Sequence, residues 1–219
     1  MSEEVVVKEE VIEDTGPDLY QIFLKEKITP DGMDEHIRQV NGLPYGSALM
    51  VWLSSPGGHP QVALMFDEKL KAKGINVTYI SHLFTASAGC TLPQLSDTAL
   101  RLAYHHSVFT FHGATVSLSD RKEQNEMINS YAYKAVDEVN ARMMKSAGLT
   151  KKEFKKYNGD DIVLYGYEIL NVGEHGLVDG LILKEINVGV FLIKTRDGNK
   201  LVDVSKHNRS DLKDLPVVE

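Results

Sequence analysis

The sequence predicts an α/β fold with a largely parallel sheet. Segments typical of buried strands alternate along the chain with segments whose apolar residues recur at helical spacing. The run Ala48–Leu53 is apolar throughout, as expected of a strand that is covered on both faces. The chain has 219 residues, of which 42% are hydrophobic, and this is enough for one sizeable core.

The first half of the chain is predicted to alternate strands with helices. Thr29-Pro30-Asp31 begins a helix, because Thr caps a helix start and Pro suits the first turn. A second helix follows the turn Ser55-Pro56-Gly57-Gly58, and its apolar residues include Val62, Leu64, Met65 and Leu70. The expected elements are a strand at 20–24, a helix at 29–42, a strand at 48–53, a helix ending at 74, a strand at 75–80, a helix beginning near 87 and a strand at 108–111.

The second half is predicted to begin with a long helix. Asp120 and Glu123 have capping-box spacing, and Gly148 ends the helix. Its apolar positions lie on one face: Met127, Ile128, Tyr131, Ala135, Val139 and Met143. After it, the expected elements are a helix capped at 150–153, a helix at 167–175, a strand at 177–183, and a hairpin of strands at 190–193 and 201–204.

The apolar stripe of the long helix has two interpretations. It is longer than a helix needs to cover one small core, so it predicts an interface between subunits. Alternatively, the helix lies along its own core. The chain as a whole divides into an acidic arm at 1–18, a main domain at 19–186, and a C-terminal hairpin and tail at 187–219 whose last dozen residues are expected to fray.

Composition excludes several classes of function. A net charge of −7 and a pI of about 5.6 argue against a nucleic-acid-binding protein. A single cysteine, Cys90, excludes an intramolecular disulfide and a multi-cysteine zinc site. No run of apolar residues approaches the length of a membrane span, and Met1-Ser2-Glu3-Glu4 lacks the basic start of a signal peptide. We therefore expect a cytoplasmic protein without membrane or nucleic-acid partners.

Three residues are candidates for serine-hydrolase chemistry. Ser87 lies in the small-residue stretch Thr85–Gly89, where a substrate backbone can approach closely; tight packing of a helix on a strand explains the same composition. His112 ends an apolar strand, where active sites of α/β folds gather, although a histidine there is more often structural. Asp161 follows Asp160, and either aspartate serves equally well as a solvated helix cap.

Two further features complete the candidate site. The turn Ser55-Pro56-Gly57-Gly58 can present the N–H of Gly58 to an oxyanion, or it is a simple β-turn that His59 helps to shape. A helix beginning at Ser87 would aim further N–H groups at the same point. Cys90 is the one rival nucleophile, and a small buried residue is its simplest interpretation.

Taken together, these motifs resemble the Clp protease proteolytic subunit (ClpP) family. Leu53–Gly58 resembles the family's Asn-Ser-Pro-Gly-Gly segment, and Ala86–Gly89 its Ala-Ser-Met-Gly nucleophile motif. Gly58 precedes Ser87 by 29 residues, Ser87 precedes His112 by 25, and His112 precedes Asp161 by 49, in agreement with the family pattern. His175–Asp179 is similar to the family's Tyr-Gly-Leu-Val-Asp. The resemblance spans roughly residues 20–183.

The resemblance implies a serine endopeptidase of the ClpP/crotonase-like fold, built of repeated β-β-α units with a largely parallel sheet and a protruding handle helix. Ser87 would be the nucleophile, His112 the general base and Asp161 the residue that orients it. The backbone N–H groups of Gly58 and Ala88 would form the oxyanion hole. No metal and no organic cofactor are implied. The expected partners are further copies of the chain in stacked heptameric rings, an AAA+ unfoldase, and peptides or unfolded proteins as substrates.

Several positions depart from the family pattern. Asp160 stands where the family carries Arg, and Gly113-Ala114 replaces Gln-Pro after the histidine. Pro93 interrupts the helix after Ser87, and the helix that precedes the family's first strand is replaced by the acidic arm. A non-proteolytic scaffold protein on the same fold therefore stays open, as do a signal-peptide-peptidase (SppA-type) hydrolase with a Ser/Lys pair and a crotonase-type acyl-CoA enzyme.

Overall fold

Strands and helices alternate along the chain in the computed structural model, which describes residues 18–111, 122–159 and 162–219, with side chains described except at 122–129 and 158–159. The strands are β1 (Leu19–Leu24), β2 (Ala48–Leu53), β3 (Asn76–Ser81), β4 (Phe84–Ala86), β5 (Leu100–Tyr104), β6 (Val108–Phe111), β7 (Ile162–Tyr165), β8 (Gly180–Asn187), β9 (Val190–Thr195), β10 (Gly198–Asp203) and β11 (Val217–Val218). The helices are α1 (Pro30–Gly42), α2 (Pro60–Ala72), α3 (Ala88–Thr91), α4 (Lys122–Ala147), α5 (Lys151–Gly159) and α6 (Gly166–Leu170). Short 3₁₀ helices cover Leu92–Gln94 and Arg209–Lys213.

The main sheet has eight strands in the order β1-β2-β3-β5-β8-β9-β10-β11. The first five of these run parallel, and the last three continue the sheet as antiparallel strands. A second sheet has three strands, in which β4 lies parallel and β7 antiparallel to the central β6. The mixed α/β fold with a mostly parallel sheet is therefore confirmed.

Strand β2 is buried on both faces, as its apolar run predicts. Leu49, Val51 and Leu53 point to the side covered by α1 and α2. Met50 points to the opposite side, where it packs in a cluster with residues of β9 and β10 such as Phe191. The C-terminal hairpin thus covers the face of the parallel strands that the helices leave open.

Helix α1 begins as predicted, and α2 buries one face of its apolar residues. Thr29 caps α1 by accepting the N–H of Gly32 at 3.1 Å. In α2 the buried apolar residues include Ala63 and Phe66, whereas Met65 is 41% exposed. Val62, Phe66 and Leu70 are spaced by four residues and so form one row on the helix. Met65 is apolar but lies outside this row.

Helix α4 packs through its C-terminal half. Ala135, Val139 and Met143 are buried within the chain, so for this part of the stripe the alternative interpretation, a helix that lies along its own core, is correct. Tyr131 and Tyr133 are exposed. Met127 and Ile128 lie where no side chains are described. Along the described part of the helix, the stripe therefore changes from exposed at Tyr131 to buried from Ala135 onward.

The helix predicted at 167–175 ends earlier than expected. Helix α6 stops at Leu170, and Gly173 follows with a φ of 60°. A Cβ on Gly173 would lie 2.4 Å from the carbonyl oxygen of Ala147, so only glycine fits where this turn passes the end of α4. The next strand accordingly begins at Gly180 rather than at Leu177.

The C-terminal residues are ordered by pairing, contrary to the expectation that they fray. Asn208 caps the second 3₁₀ helix by accepting the N–H of Ser210 at 2.8 Å. Beyond it, Val217 and Val218 pair with Lys200 and Asn199 of β10. The last dozen residues are mostly polar, and hydrogen bonds hold this segment in place.

A buried ion pair links β5 to the start of β8. The Arg101 side chain is 1% exposed and that of Asp179 is 6% exposed. The guanidinium donates to both carboxylate oxygens and also to Gln94 and to Ser146, in α4. The sequence pattern does not predict strand β5, because this arginine interrupts its apolar run.

Arg101→Met is expected to lower the free energy of unfolding by about 3–5 kcal/mol, because it leaves the Asp179 carboxylate buried with less charge to balance it. Urea unfolding followed by circular dichroism measures the change. Lys145→Met is the control, since it removes an exposed ion pair with Asp97 and should cost under about 1 kcal/mol. Equal effects of the two substitutions would contradict the role given to Arg101.

No helix in the described ranges has both the length and the apolar character needed to cross a membrane.

Candidate active site

Ser87 occupies a sharp turn between β4 and α3. Its φ is 52° and its ψ is −124°, and it is the one residue other than glycine with a positive φ among those the structure describes. Such a conformation costs about 1–3 kcal/mol for a residue with a Cβ, and it persists where the surroundings impose it. A strained serine between a strand and a helix is the geometry of a nucleophile elbow, which exposes the hydroxyl at the end of a sheet.

Hydrogen bonds from both sides impose this turn. The Ser87 N–H donates to the carbonyl of Thr110 in β6 at 3.0 Å, and the Ala86 N–H donates to the carbonyl of Ser55 at 2.9 Å. On the far side, the N–H of Cys90 donates to the Ser87 carbonyl at 2.9 Å. The turn is therefore held by β6 and by the segment after β2.

The small residues around Ser87 also serve close packing. A Cβ on Gly89 would lie 2.8 Å from the carbonyl oxygen of Ser55, so a larger residue would push the two segments apart. The packing interpretation of the small-residue stretch is thus correct for Gly89. It leaves the strained backbone of Ser87 unexplained.

The Pro-Gly-Gly turn packs directly against Ser87. Gly57 has a φ of 87°, and a Cβ there would lie 2.7 Å from the Cβ of Ser87 and 2.8 Å from the nitrogen of Ala88. Ser55 Oγ accepts the Gly57 N–H at 3.1 Å and donates to the carbonyl of Glu26 at 2.7 Å. The turn is more than a surface connection, because its glycines allow two backbone segments to touch at the candidate nucleophile.

Two backbone N–H groups beside Ser87 are available. Within the part of the chain that the structure describes, the N–H groups of Gly58 and Ala88 donate to no protein acceptor. Gly58 forms a parallel bridge with Ile28, in which the hydrogen bonds are made by the residues on either side of Gly58. Ile28 donates its N–H to the Gly57 carbonyl and accepts the N–H of His59, so the Gly58 N–H takes no part. Ala88 is the first residue of α3, where N–H groups lack helical acceptors. Such free donors next to a serine can stabilise an oxyanion.

His112 and Asp161, the predicted base and acid, lie outside the described residues, as does Asp160. The described strands end one residue short of His112 and begin one residue after Asp161. Phe111, the last residue of β6, is in register with Ile162, the first residue of β7. Thr110, next to Phe111, is the residue whose carbonyl holds the Ser87 N–H.

The other residues considered near the site have structural roles. Cys90 is fully buried, and its thiol donates to the carbonyl of Thr85 at 2.9 Å. Burial raises the pKa of the Cys90 thiol far above its ordinary value, so it is no rival nucleophile. His59 is exposed, and its N–H donates to Ile28, in keeping with a residue that shapes the turn.

Two positioning residues escaped the sequence-based prediction. Ser55 joins the Pro-Gly-Gly turn to Glu26 and to the Ser87 segment, and Thr110 orients Ser87 through its carbonyl. A serine directly before Pro-Gly-Gly was a weak signal for the first. Nothing in the sequence marks Thr110, because its main-chain oxygen does the work.

No group of three or more His, Cys, Asp or Glu side chains is placed to hold a metal ion within the described ranges. No family model matches the chain, and a search of curated proteins finds no match. The function is therefore inferred from the site.

Proposed function

We propose that the chain is a serine peptidase of the Clp protease proteolytic subunit type, with a ClpP/crotonase-like fold. The observation that carries the proposal is the strained backbone of Ser87 beside the N–H groups of Gly58 and Ala88, which have no acceptor among the described residues. A residue confined to tight packing needs neither the strain nor the free donors. A nucleophile that attacks a carbonyl needs both, since the oxygen of that carbonyl becomes an anion next to the serine.

In the proposed reaction, Ser87 Oγ attacks the carbonyl carbon of a peptide bond while His112 removes its proton. The Gly58 and Ala88 N–H groups donate to the resulting oxyanion. His112 then protonates the leaving amine, and an acyl-enzyme remains on Ser87. Water activated by His112 releases the acyl group, and Asp161 holds the imidazole in orientation throughout. None of these steps requires a cofactor.

The strand register supports the roles of His112 and Asp161. The proposal requires these side chains to meet at the end of the three-stranded sheet where Ser87 lies. Their chain neighbours Phe111 and Ile162 are paired in register there, and Thr110 binds the Ser87 backbone. Consecutive Cα atoms are about 3.8 Å apart, so the chain allows such a meeting.

The alternatives differ in what they ask of Ser87. Two free N–H groups would equally suit an enzyme that binds the carbonyl of an acyl-CoA. Such an enzyme has no use for a serine in a strained turn, and an SppA-type hydrolase would need a lysine in place of His112. A scaffold protein would need neither the donors nor the strain.

A fluorophosphonate probe tests the proposal directly, because it reacts with activated serines. Mass spectrometry of the labelled protein should locate the probe on Ser87, and heat-denatured protein should not react. An unreactive native protein would contradict a peptidase and favour the scaffold alternative. Hydrolysis of an acyl-CoA thioester without probe labelling would favour the crotonase type.

We further propose that the chain assembles through α4. Tyr131 is 65% exposed and Tyr133 is 53% exposed on this helix, while its C-terminal half is buried against the core that supports the small sheet. Large exposed aromatic residues on one helix are typical of an interface. The proposed assembly is a stack of rings that encloses the serines, and an unfoldase partner and a cytoplasmic location belong to the same proposal.

Ile128→Glu combined with Tyr131→Glu is expected to split the assembly and lower peptidase activity in parallel. Each substitution would place an unpaired carboxylate in the interface, where loss of its hydration is strongly unfavourable. Light scattering and peptide hydrolysis measure the two effects. Tyr45→Glu is the control, because Tyr45 is 81% exposed and belongs to the loop between α1 and β2. An unmodified protein that is an active monomer would refute the assembly.

A further inference from the structure

A cavity of about 210 Å³ lies between the C-terminal segment and the turn that joins α6 to β8. Its lining includes seven ionisable residues: His175, Asp179, Arg196, Asp197, Lys200, Arg209 and Lys213. The cavity is smaller than the roughly 300–1,000 Å³ of sites for drug-sized molecules. Its size therefore suits a small group, and its lining is rich in cations.

The buried carboxylate that lines the cavity, Asp179, already accepts four hydrogen bonds and has no acceptor site left for a further cation. Asp179 accepts the backbone N–H of Arg101 at 2.9 Å, the Nε of Arg101 at 3.0 Å and the Nε of Arg209 at 2.9 Å. The Arg101 Nη2 donates to it as well. Two guanidinium groups thus share a single negative charge, which leaves this cluster positive.

Lys200 adds a buried ammonium group to these two guanidinium groups. The residue is 4% exposed, and its ammonium group donates to the carbonyl of Leu212. An ammonium group has three N–H donors. Among the described residues, no carboxylate lies within ion-pair distance of Lys200, as the ion pairs of the chain involve other cations. Buried charges in proteins are normally paired, because an uncompensated one is costly.

Arg209 directs further donors toward the same space. Its Nη1 donates to Ser146 Oγ at 3.2 Å and its Nη2 to the Ser146 carbonyl at 2.7 Å. With the Nε bond to Asp179, three of its five donors are used, so two are free. The Arg209 side chain is 18% exposed, and this burial lowers its pKa, against the opposing effect of Asp179.

The remaining acidic groups nearby do not neutralise the cavity. Asp97 is exposed and pairs with Lys145 at 2.6 Å, and Asp211 accepts the N–H of Asn208 at 2.8 Å. Asp197 lines the cavity but is exposed to solvent. The positive charges of Lys200, Arg209 and the rim residue Lys213 stand out in a chain whose net charge is −7.

We propose that this cavity binds a small oxyanion, a phosphate or carboxylate group, held by the ammonium of Lys200 and the free guanidinium donors of Arg209. The anion supplies the charge that Asp179 cannot. It joins β10 and the second 3₁₀ helix to the start of β8, and through Ser146 to the end of α4. This inference does not depend on the proposed peptidase activity.

Calorimetry and thermal unfolding of the full chain test the site. Inorganic phosphate and succinate are each titrated at constant ionic strength, with sodium chloride as the reference. The proposal expects saturable heat and a rise in Tm with at least one of them, because a ligand of the native state stabilises it. Phosphate alone, succinate alone or both identifies the group that the site takes. No heat and no rise beyond sodium chloride with either would overturn the proposal.

Substitutions locate the binding. Lys200→Met should weaken binding of the active anion by at least about tenfold, since a charged hydrogen bond is lost. Lys184→Met, on an exposed part of β8, should leave binding unchanged. Unchanged affinity in Lys200→Met would overturn the site. If Lys200→Met does not fold, the exposed Lys213→Met decides, with about two- to fivefold weaker binding expected and unchanged affinity counting against the site.

Discussion

Ser87→Ala is expected to abolish the hydrolysis of small fluorogenic peptides while the fold stays intact. In a worked serine-protease case, loss of the nucleophile lowers kcat on the order of 10⁶-fold. The side chain is half-buried, and no hydrogen bond to Ser87 Oγ is present among the described residues, so its removal should cost little stability. Peptide hydrolysis and circular dichroism on the same preparation separate activity from folding.

Ser87→Gly distinguishes an imposed strained turn from an ordinary one. Glycine adopts a positive φ without strain, so this variant should be inactive yet more stable than Ser87→Ala, by up to about 1–3 kcal/mol. Cys90→Ala is the matched control for chemistry and should keep most of the activity. The assignment of the nucleophile is wrong if Cys90→Ala and a thiol reagent both abolish activity.

Asp161→Asn is expected to reduce peptidase activity by as much as about 10⁴-fold, and Asp160→Asn to have a mild effect. An amide in place of the carboxylate misorients the histidine without changing shape, which is the effect seen in the worked serine-protease triad. Only Asp161 keeps the 49-residue spacing from His112. The rate of peptide hydrolysis at saturating substrate measures the difference.

The comparison of the two neighbouring aspartates is its own control for folding. Both substitutions remove one charge from the same segment, so a general effect on stability should appear in both. Similar mild losses in the two variants would refute the third member of the triad. A large loss in Asp160→Asn alone would move the role to Asp160.

Much of the fold could be predicted because many of its helices and strands are signalled by residues close together in the chain. The apolar run of β2, the Thr-Pro start of α1 and the capping box at Thr150 each act within a few residues, and the structure has all three. In the capping box, Glu153 accepts the N–H of Thr150 at 2.8 Å. Strand β4 was missed because three residues are too few to show a period.

In the candidate site, the residues could be named from the sequence, but their geometry could not. Ser87 and Gly58 are candidates on the basis of their neighbours and their spacing, and Cys90 was rightly expected to be buried. The positive φ of Ser87 and the contact between Gly57 and Ala88 come from segments that lie about 30 residues apart in the chain and meet only in the folded protein.

Residue order along the chain was therefore sufficient for the elements whose hydrogen bonds are local, and for the residue types that chemistry at Ser87 would need. Folding decided the rest: which N–H groups stay unpaired among the described residues, how the C-terminal hairpin covers β2, and how Arg101 and Arg209 come to share the carboxylate of Asp179. These features depend on contacts between distant segments. No local periodicity encodes them, because each is set by which groups the packed chain leaves without a partner.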